Sequence, residues 1–134
     1  MGPCLLCKMG KQRIILIVED DDELRRLWRN TLACEGFDVL EAGDGISALH
    51  ILDQYLPHLV VLDLGLPRLD GLSVQQEIAA QVITRHIPVV IVTGSADDLD
   101  HLNVPCVLRK PVSVDNLIGT IRKCLPAGAP RVHA

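Results

Sequence analysis

Polar residues with reactive side chains stand directly behind short apolar runs of this 134-residue sequence. A carboxylate at the end of a buried apolar run is energetically costly unless another group uses it. The runs RIILIV, LVVL, VVIV and CVL each end at such a residue, within one or two positions. The candidate residues are, in chain order, Glu19, Asp20, Asp63, Thr93 and Lys110.

The chemistry of this set follows from its charges. Three carboxylates brought together repel one another unless they are protonated or hold a cation, and an incomplete shell of oxygen ligands suits Mg²⁺. Beside a metal, Asp63 could attack phosphorus as a nucleophile and form an aspartyl phosphate, while Lys110 and Thr93 bind other phosphoryl oxygens. Gly65 would let the backbone approach closely, so that its carbonyl could also bind the metal.

The elements that must position these residues are strands alternating with helices. Continuous apolar runs are typical of strands buried on both faces, and FDVLEA (37–42) alternates like an edge strand. Helices are predicted for DELRRLWRNTLACEG, DGISALHILDQYL, LSVQQEIAAQVI (72–83) and SVDNLIGTIRKCL.

Details of these helices follow from caps and apolar spacing. Asp44 and Ser113 are predicted N-caps, Gly36 a C-terminal cap, and Leu27 and Leu56 are assigned to inward faces. Five β–α units predict a doubly wound α/β domain with a parallel sheet. The carboxyl ends of parallel strands lie at one edge, so the candidate residues should converge there.

Composition narrows the function classes. The net charge of −4 gives no indication of a nucleic-acid partner, and no apolar run is long enough to span a membrane. Five scattered cysteines without a signal peptide predict reduced thiols and a cytoplasmic protein. The CLLC motif (4–7) has the spacing of a zinc or redox pair, but nothing completes such a site, and a loose arm is the simpler interpretation. The five histidines show no paired ligand spacing.

Domain organisation is simple. We expect a flexible N-terminal arm at 1–12, one domain at 13–125 and a disordered tail at 126–134.

Four motifs in this order, LIVEDDDELRR, VVLDLGLPRLDG, VVIVTG and LRKP, resemble the receiver domain of two-component response regulators. This resemblance covers about 13–125 and implies a CheY-like five-stranded sheet of order 2-1-3-4-5. It implies that Asp63 is the phosphoacceptor, with Mg²⁺ as the cofactor. The implied metal ligands are Glu19, Asp20, Asp63 and the main-chain carbonyl of Gly65.

The resemblance also assigns the remaining site residues and the partners. Thr93 takes the position of the switch hydroxyl and Lys110 that of the phosphoryl-binding lysine, and the Lys110–Pro111 bond is expected to be cis. The implied donor is a histidine kinase or a histidine phosphotransfer protein. The protein would then switch contacts with a downstream protein rather than act as an enzyme. No output domain that binds DNA is expected in this chain. The receiver could act alone or as part of a hybrid chain.

Two departures from the family pattern concern signal output. Val107 stands where relatives carry Tyr or Phe, so that either the switch lacks its aromatic side chain or Val107 only packs in the core. The connection GSADDLDHLNVP (94–105) is short, which predicts a shortened fourth helix or none.

Two alternative functions remain. A degenerate receiver could serve only as a docking module. A phosphatase of the haloacid-dehalogenase type also uses an aspartyl nucleophile, but it requires an acid two residues later, where this chain has Gly65.

Overall fold

The computed structural model describes residues 12–94 and 106–126 of the chain. These residues contain five β-strands and four α-helices. The strands are β1 (Ile14–Val18), β2 (Asp38–Ala42), β3 (Leu59–Asp63), β4 (Val89–Thr93) and β5 (Cys106–Arg109). The helices are α1 (Asp22–Cys34), α2 (Gly45–Gln54), α3 (Gly71–Ala80) and α4 (Val114–Cys124).

The strands form one parallel sheet of order β2-β1-β3-β4-β5. In register, Val18 pairs with both Ala42 and Leu62, and Thr93 pairs with Arg109. The carboxyl ends of the strands therefore share one edge. Both the doubly wound fold and the strand order implied by the resemblance are confirmed.

The core consists of two apolar clusters, one on each face of the sheet. Leu16 and Val18 belong to the cluster covered by α2 and α3, whereas Ile15 and Ile17 belong to the cluster covered by α1 and α4. Successive strand residues point to opposite faces, so burial of both faces requires the continuous apolar runs seen in the sequence. Trp28 is fully buried in the second cluster.

Local capping fixes the helix ends. Asp44 accepts a hydrogen bond from the Ser47 N–H and Ser113 from the Asn116 N–H, which confirms both predicted N-caps. Gly36 lies just beyond α1 with a φ of 97°, a conformation that residues with a Cβ rarely adopt. The predicted glycine at this helix end is confirmed.

Two predictions of inward-facing leucines are wrong. Leu27 is 50% exposed and Leu56 is 52% exposed. Helical spacing put Leu27 at the border of the apolar stripe of α1, where Trp28 and Leu32 fill the core instead. Leu56 lies beyond the end of α2, because the chain turns to an extended conformation at Tyr55.

The predicted helix over 72–83 ends earlier, at Ala80. The next residue, Gln81, has an extended backbone, and the Thr84 hydroxyl donates to the Ile78 carbonyl at 2.8 Å. This side chain satisfies a carbonyl that a longer helix would have bonded itself. Val82 and Ile83, just beyond Ala80, are consequently exposed.

One expectation about the cysteines is also wrong. A disulfide joins Cys106, at the start of β5, to Cys124, at the end of α4, whereas the sequence predicted reduced thiols throughout. Cys34 is a free, exposed thiol. The pairing could not be read from the sequence because 18 positions separate the two residues.

Several predictions fall outside the described residues: the N-terminal arm with its CLLC motif, the shortened fourth helix and most of the C-terminal tail. None of the helices within 12–94 and 106–126 combines the length and the apolar character needed to cross a bilayer.

Candidate functional site

The candidate residues meet at the carboxyl edge of the sheet. Glu19 follows β1, and its N–H donates to the Ala42 carbonyl at 3.0 Å. Asp63 is the last residue of β3, and Thr93 is the last residue of β4. The Lys110 N–H donates to the Thr93 carbonyl at 2.8 Å, which holds Lys110 at the end of β5. The convergence predicted from the strand ends is present in the structure.

Three carboxylates at this edge are close enough to share a cation. One oxygen from each of Glu19, Asp20 and Asp63 lies within 4.8 Å of the others. Glu19 and Asp63 are buried, whereas Asp20 is exposed at the mouth of the site. An all-oxygen donor set with one open side fits a hard cation that keeps several waters, such as Mg²⁺.

Lys110 connects the two buried carboxylates. Its Nζ forms an ion pair with Glu19 Oε1 at 3.0 Å, in a geometry that does not meet the criteria of a hydrogen bond. The same Nζ donates a hydrogen bond to Asp63 Oδ2 at 3.3 Å. Burial by itself lowers the Lys110 pKa, but Glu19 and Asp63 outweigh this effect and raise the pKa above its usual value. Lys110 is therefore a fixed positive charge beside Asp63.

Burial raises the pKa of Glu19, against the opposing effects of Lys110 and of the Asp21 N–H, which donates to Oε2 at 3.1 Å. The charge of Asp63 adds to the increase. A cation bound beside Glu19 would favour its charged form and so oppose this increase in the pKa.

A cavity of about 400 Å³ opens at the carboxyl edge of the sheet. Its lining includes Asp20, Asp63, Gly65, Thr93 and Lys110. Acid, hydroxyl and ammonium groups thus face one space at the end of the sheet, with room for a phosphoryl group.

Gly71 shapes the loop after β3, a role that was not predicted from the sequence. The Gly65 N–H donates to Asp63 Oδ1 at 3.0 Å, yet a Cβ at Gly65 would make only an ordinary contact of 3.8 Å. A different close approach occurs at Gly71, where a Cβ would overlap the Asp63 carbonyl and the Leu64 backbone. Metal binding by the Gly65 carbonyl stays a prediction.

Arg25 supports the acidic loop, and the sequence interpretation missed it. Its Nη1 donates to the Glu19 carbonyl at 2.7 Å, its Nε to Glu41 at 3.1 Å, and its Nη2 to Asp22 at 2.7 Å. Arg25 therefore links α1 and β2 to the residues just before Asp20. Its place within the LIVEDDDELRR motif was the available signal.

Two further contacts went unpredicted. Asp21 caps α1 by accepting from the N–H groups of Glu23 and Leu24, so that this acid of the run has a structural role. Arg68 has a φ of 67° and lies 3.4 Å from Asp44, which ties the loop after Asp63 to the start of α2.

Val107 and Lys110 have the expected local arrangement. Val107 is partly buried against the cluster covered by α2 and α3 and pairs with Ile91 in the sheet, as the core-packing interpretation requires. The Lys110–Pro111 bond is cis, as the resemblance implied.

Comparisons with known proteins agree with this arrangement. The family model of the response regulator receiver domain matches residues 15–122. The chain is 35% identical over 122 residues to "Probable transcriptional regulator ycf27" of Porphyridium aerugineum, across 87% of this chain and 49% of that relative. It is 30% identical over 116 residues to the polar-differentiation response regulator DivK of Brucella anthropi, across 83% of this chain and 94% of DivK.

A solved structure agrees at the level of the fold. The chemotaxis response regulator CheY4 of Vibrio cholerae superposes with a TM-score of 0.79 at 21% identity, covering 85% of this chain and 99% of CheY4. The match to the first relative spans about half of that relative's length, whereas the match to DivK spans nearly all of it. The chain belongs to the response regulator receiver family, whose members are signalling domains of two-component systems.

Proposed function

We propose that this receiver domain accepts a phosphoryl group on Asp63 from a histidine kinase or a histidine phosphotransfer protein. The observation that carries the proposal is the contact of the Lys110 ammonium with both Asp63 and Glu19 at the mouth of a cavity. Asp63, the proposed nucleophile, thus has a fixed cation and two further acids beside it, a set of groups that supports phosphoryl transfer to an aspartate.

In the proposed reaction, a carboxylate oxygen of Asp63 attacks the phosphorus of a phosphohistidine. The new O–P bond forms as the P–N bond breaks, and the imidazole nitrogen keeps the electron pair and takes up a proton. Lys110 remains protonated and neutralises charge on one phosphoryl oxygen. The Thr93 hydroxyl is assigned to another oxygen.

Glu19, Asp20, Asp63 and the Gly65 carbonyl are the residues proposed to hold Mg²⁺. When bound, the metal would supply neutralisation of the phosphoryl oxygens and of the acidic cluster. The raised pKa of Glu19 and the short distances among the three acids support a cation at this position.

Output is proposed to occur through contacts with a downstream protein. Val107 lacks the ring of the usual aromatic switch, so the proposed output does not use rotation of an aromatic side chain at this position. The match spans 94% of DivK but 49% of the transcriptional regulator, so a single receiver and a receiver portion of a longer protein are both consistent with the proposed output.

Intact mass spectrometry tests the proposal. The protein is incubated with Mg²⁺ and acetyl phosphate, beside Asp63→Asn and the control Asp53→Asn, an exposed acid on α2. We expect one phosphoryl adduct on the wild type and on the control, removable by hydroxylamine, and none on Asp63→Asn. Beryllofluoride should likewise bind the wild type and the control only.

The alternatives give different results in the same assay. A docking module forms no adduct and binds no beryllofluoride. A phosphatase with Asp63 as its nucleophile releases inorganic phosphate from many esters in repeated turnovers, whereas a receiver accumulates the Asp63 adduct and does not turn over a range of esters. An adduct that persists in Asp63→Asn would assign the phosphoryl group to another residue.

A further inference from the structure

A second, larger cavity lies at the opposite edge of the sheet from Asp63. Its volume is about 540 Å³, within the range of sites for small organic ligands. Val89 and Cys106, the first residues of β4 and β5, line it, whereas Thr93 and Lys110 lie at the other ends of these strands. Four strand steps, about 13 Å, separate the two edges.

Most of the floor of this cavity is apolar and fixed, although Gln75, whose Oε1 is buried without a hydrogen-bond partner, also contributes to the lining. Ile78, Ile87 and Val89 are buried residues of the core, and each contributes to the lining. The disulfide between Cys106 and Cys124 forms part of the wall, where it joins β5 to α4. A floor held by core packing and a covalent bond keeps its shape without a ligand, which lowers the cost of binding one.

Among the residues that the structure describes, the rim carries basic side chains and no acidic one. Arg85, His86 and Lys123 contribute to the lining, and all three are exposed. Among the described residues none of them forms an ion pair or a side-chain hydrogen bond, and no acidic residue contributes to the lining. This local positive charge contrasts with the net charge of −4 of the whole chain.

We propose that this cavity binds a small amphiphilic carboxylate, an aliphatic acid of medium chain length. The chain of the ligand would displace water from the floor, and its carboxylate would receive charge-assisted hydrogen bonds from Arg85 and Lys123. A neutral lipid would leave the basic rim without a charged partner, and a cation would be repelled by that rim. This inference is independent of the proposed phosphorylation of Asp63.

Isothermal titration and amide chemical-shift mapping with octanoate test the proposal. We expect saturable binding, with the largest shifts at Ile87, Val89 and Cys106 and none of comparable size at Asp63. Octanoate should bind about fifteenfold more tightly than hexanoate, because each buried methylene contributes about a fourfold gain. Octylammonium should bind at least about tenfold more weakly than octanoate.

Substitutions separate the two halves of the site. Ala79 is exposed on α3 and lines the cavity, so Ala79→Trp should fill it and weaken octanoate binding by about tenfold or more without disturbing the fold. Arg85→Gln combined with Lys123→Gln should remove the preference for octanoate over octanol. Arg26→Gln, an exposed arginine on α1, is the control and should bind like the wild type.

Each result either supports or overturns binding of an aliphatic carboxylate in this cavity. Absence of saturable octanoate binding up to about 10 mM would overturn the proposal. It would equally be overturned if octanol or octylammonium bound as tightly as octanoate, if Ala79→Trp had no effect, or if the shifts mapped to the Asp63 edge. A thermal-denaturation profile of each variant distinguishes loss of the site from loss of the fold.

Discussion

Lys110 Nζ lies 3.0 Å from Glu19 Oε1, so that the lysine after the last strand neutralises an acid behind the first strand. This ion pair is at the centre of the acidic edge, yet it does not fully compensate for the burial of Glu19, whose pKa remains raised. The charge balance of the site therefore depends on pH and on added cations.

The first prediction concerns pH. Because the Glu19 pKa is raised in the fold from 4.5, the folded state binds more protons at this residue, and Glu19 makes the unfolding free energy in EDTA fall as pH rises from about 4.5 toward neutrality. The lowered pKa of His58 acts in the same window with the opposite sign, because below 6.5 the unfolded chain binds more protons at this histidine. The raised Lys110 pKa acts only near and above 10.5, outside this window. Relative to the wild type, Glu19→Gln should shift the slope of the unfolding free energy against pH toward positive values, as measured by urea titrations at several pH values.

The control for this experiment is Glu77→Gln, which removes an exposed carboxylate from α3. It should leave the slope as in the wild type. A slope unchanged in Glu19→Gln would show that the burial of this carboxylate does not govern the pH dependence.

The second prediction concerns the metal. Mg²⁺ at about 100 times its dissociation constant should stabilise the fold by about 2.7 kcal/mol, because only the folded state assembles the three acids. Asp20→Asn should lose most of this gain without unfolding, since Asp20 is exposed. Thermal shift with and without Mg²⁺ measures the effect, and Asp53→Asn serves as the control. Equal Mg²⁺ stabilisation of Asp20→Asn and wild type would exclude Asp20 as a ligand.

The third prediction concerns Arg25. Arg25→Ala removes three hydrogen bonds and should lower the unfolding free energy by about 2 kcal/mol, because two of its acceptors are partly buried and lose a charged donor. Arg26→Ala, on the exposed neighbour, should change it by less than about 0.5 kcal/mol. Urea denaturation compares the two variants. Similar losses in both would point to helix propensity instead of the contacts of Arg25.

The fourth prediction concerns two glycines. Gly71→Ala should destabilise the protein by about 1–3 kcal/mol, since the new Cβ would overlap the backbone at Asp63 and Leu64. Gly119→Ala lies in open space within α4 and should stabilise by about 0.5–1 kcal/mol. Both changes are measured by chemical denaturation, and a tolerated alanine at position 71 would contradict the close approach.

The fifth prediction concerns the disulfide between Cys106 and Cys124. Reduction, or Cys124→Ser, should lower the unfolding free energy by about 3 kcal/mol, because a cross-link over 18 positions restricts the unfolded chain. Cys34→Ser, which removes the exposed free thiol, is the control and should have little effect. Guanidinium titrations with and without reductant give the comparison. Identical midpoints under both conditions would contradict a stabilising cross-link.

Much of this protein could be predicted from its sequence because the relevant signals are local. Continuous aliphatic runs identify strands buried on both faces, and the caps Asp44 and Ser113 identify where helices begin. Parallel strands end at one edge, so the convergence of Asp63, Thr93 and Lys110 followed from chain order alone.

The tertiary structure decided what depends on distances between remote residues. The contact of Lys110 with Glu19, the support of Glu19 by Arg25, and the pairing of Cys106 with Cys124 all join separate elements. No local pattern encodes how near two elements pack. Likewise the close approach of Gly71 to the Asp63 carbonyl depends on the turn into α3, which brings this glycine back to the end of β3.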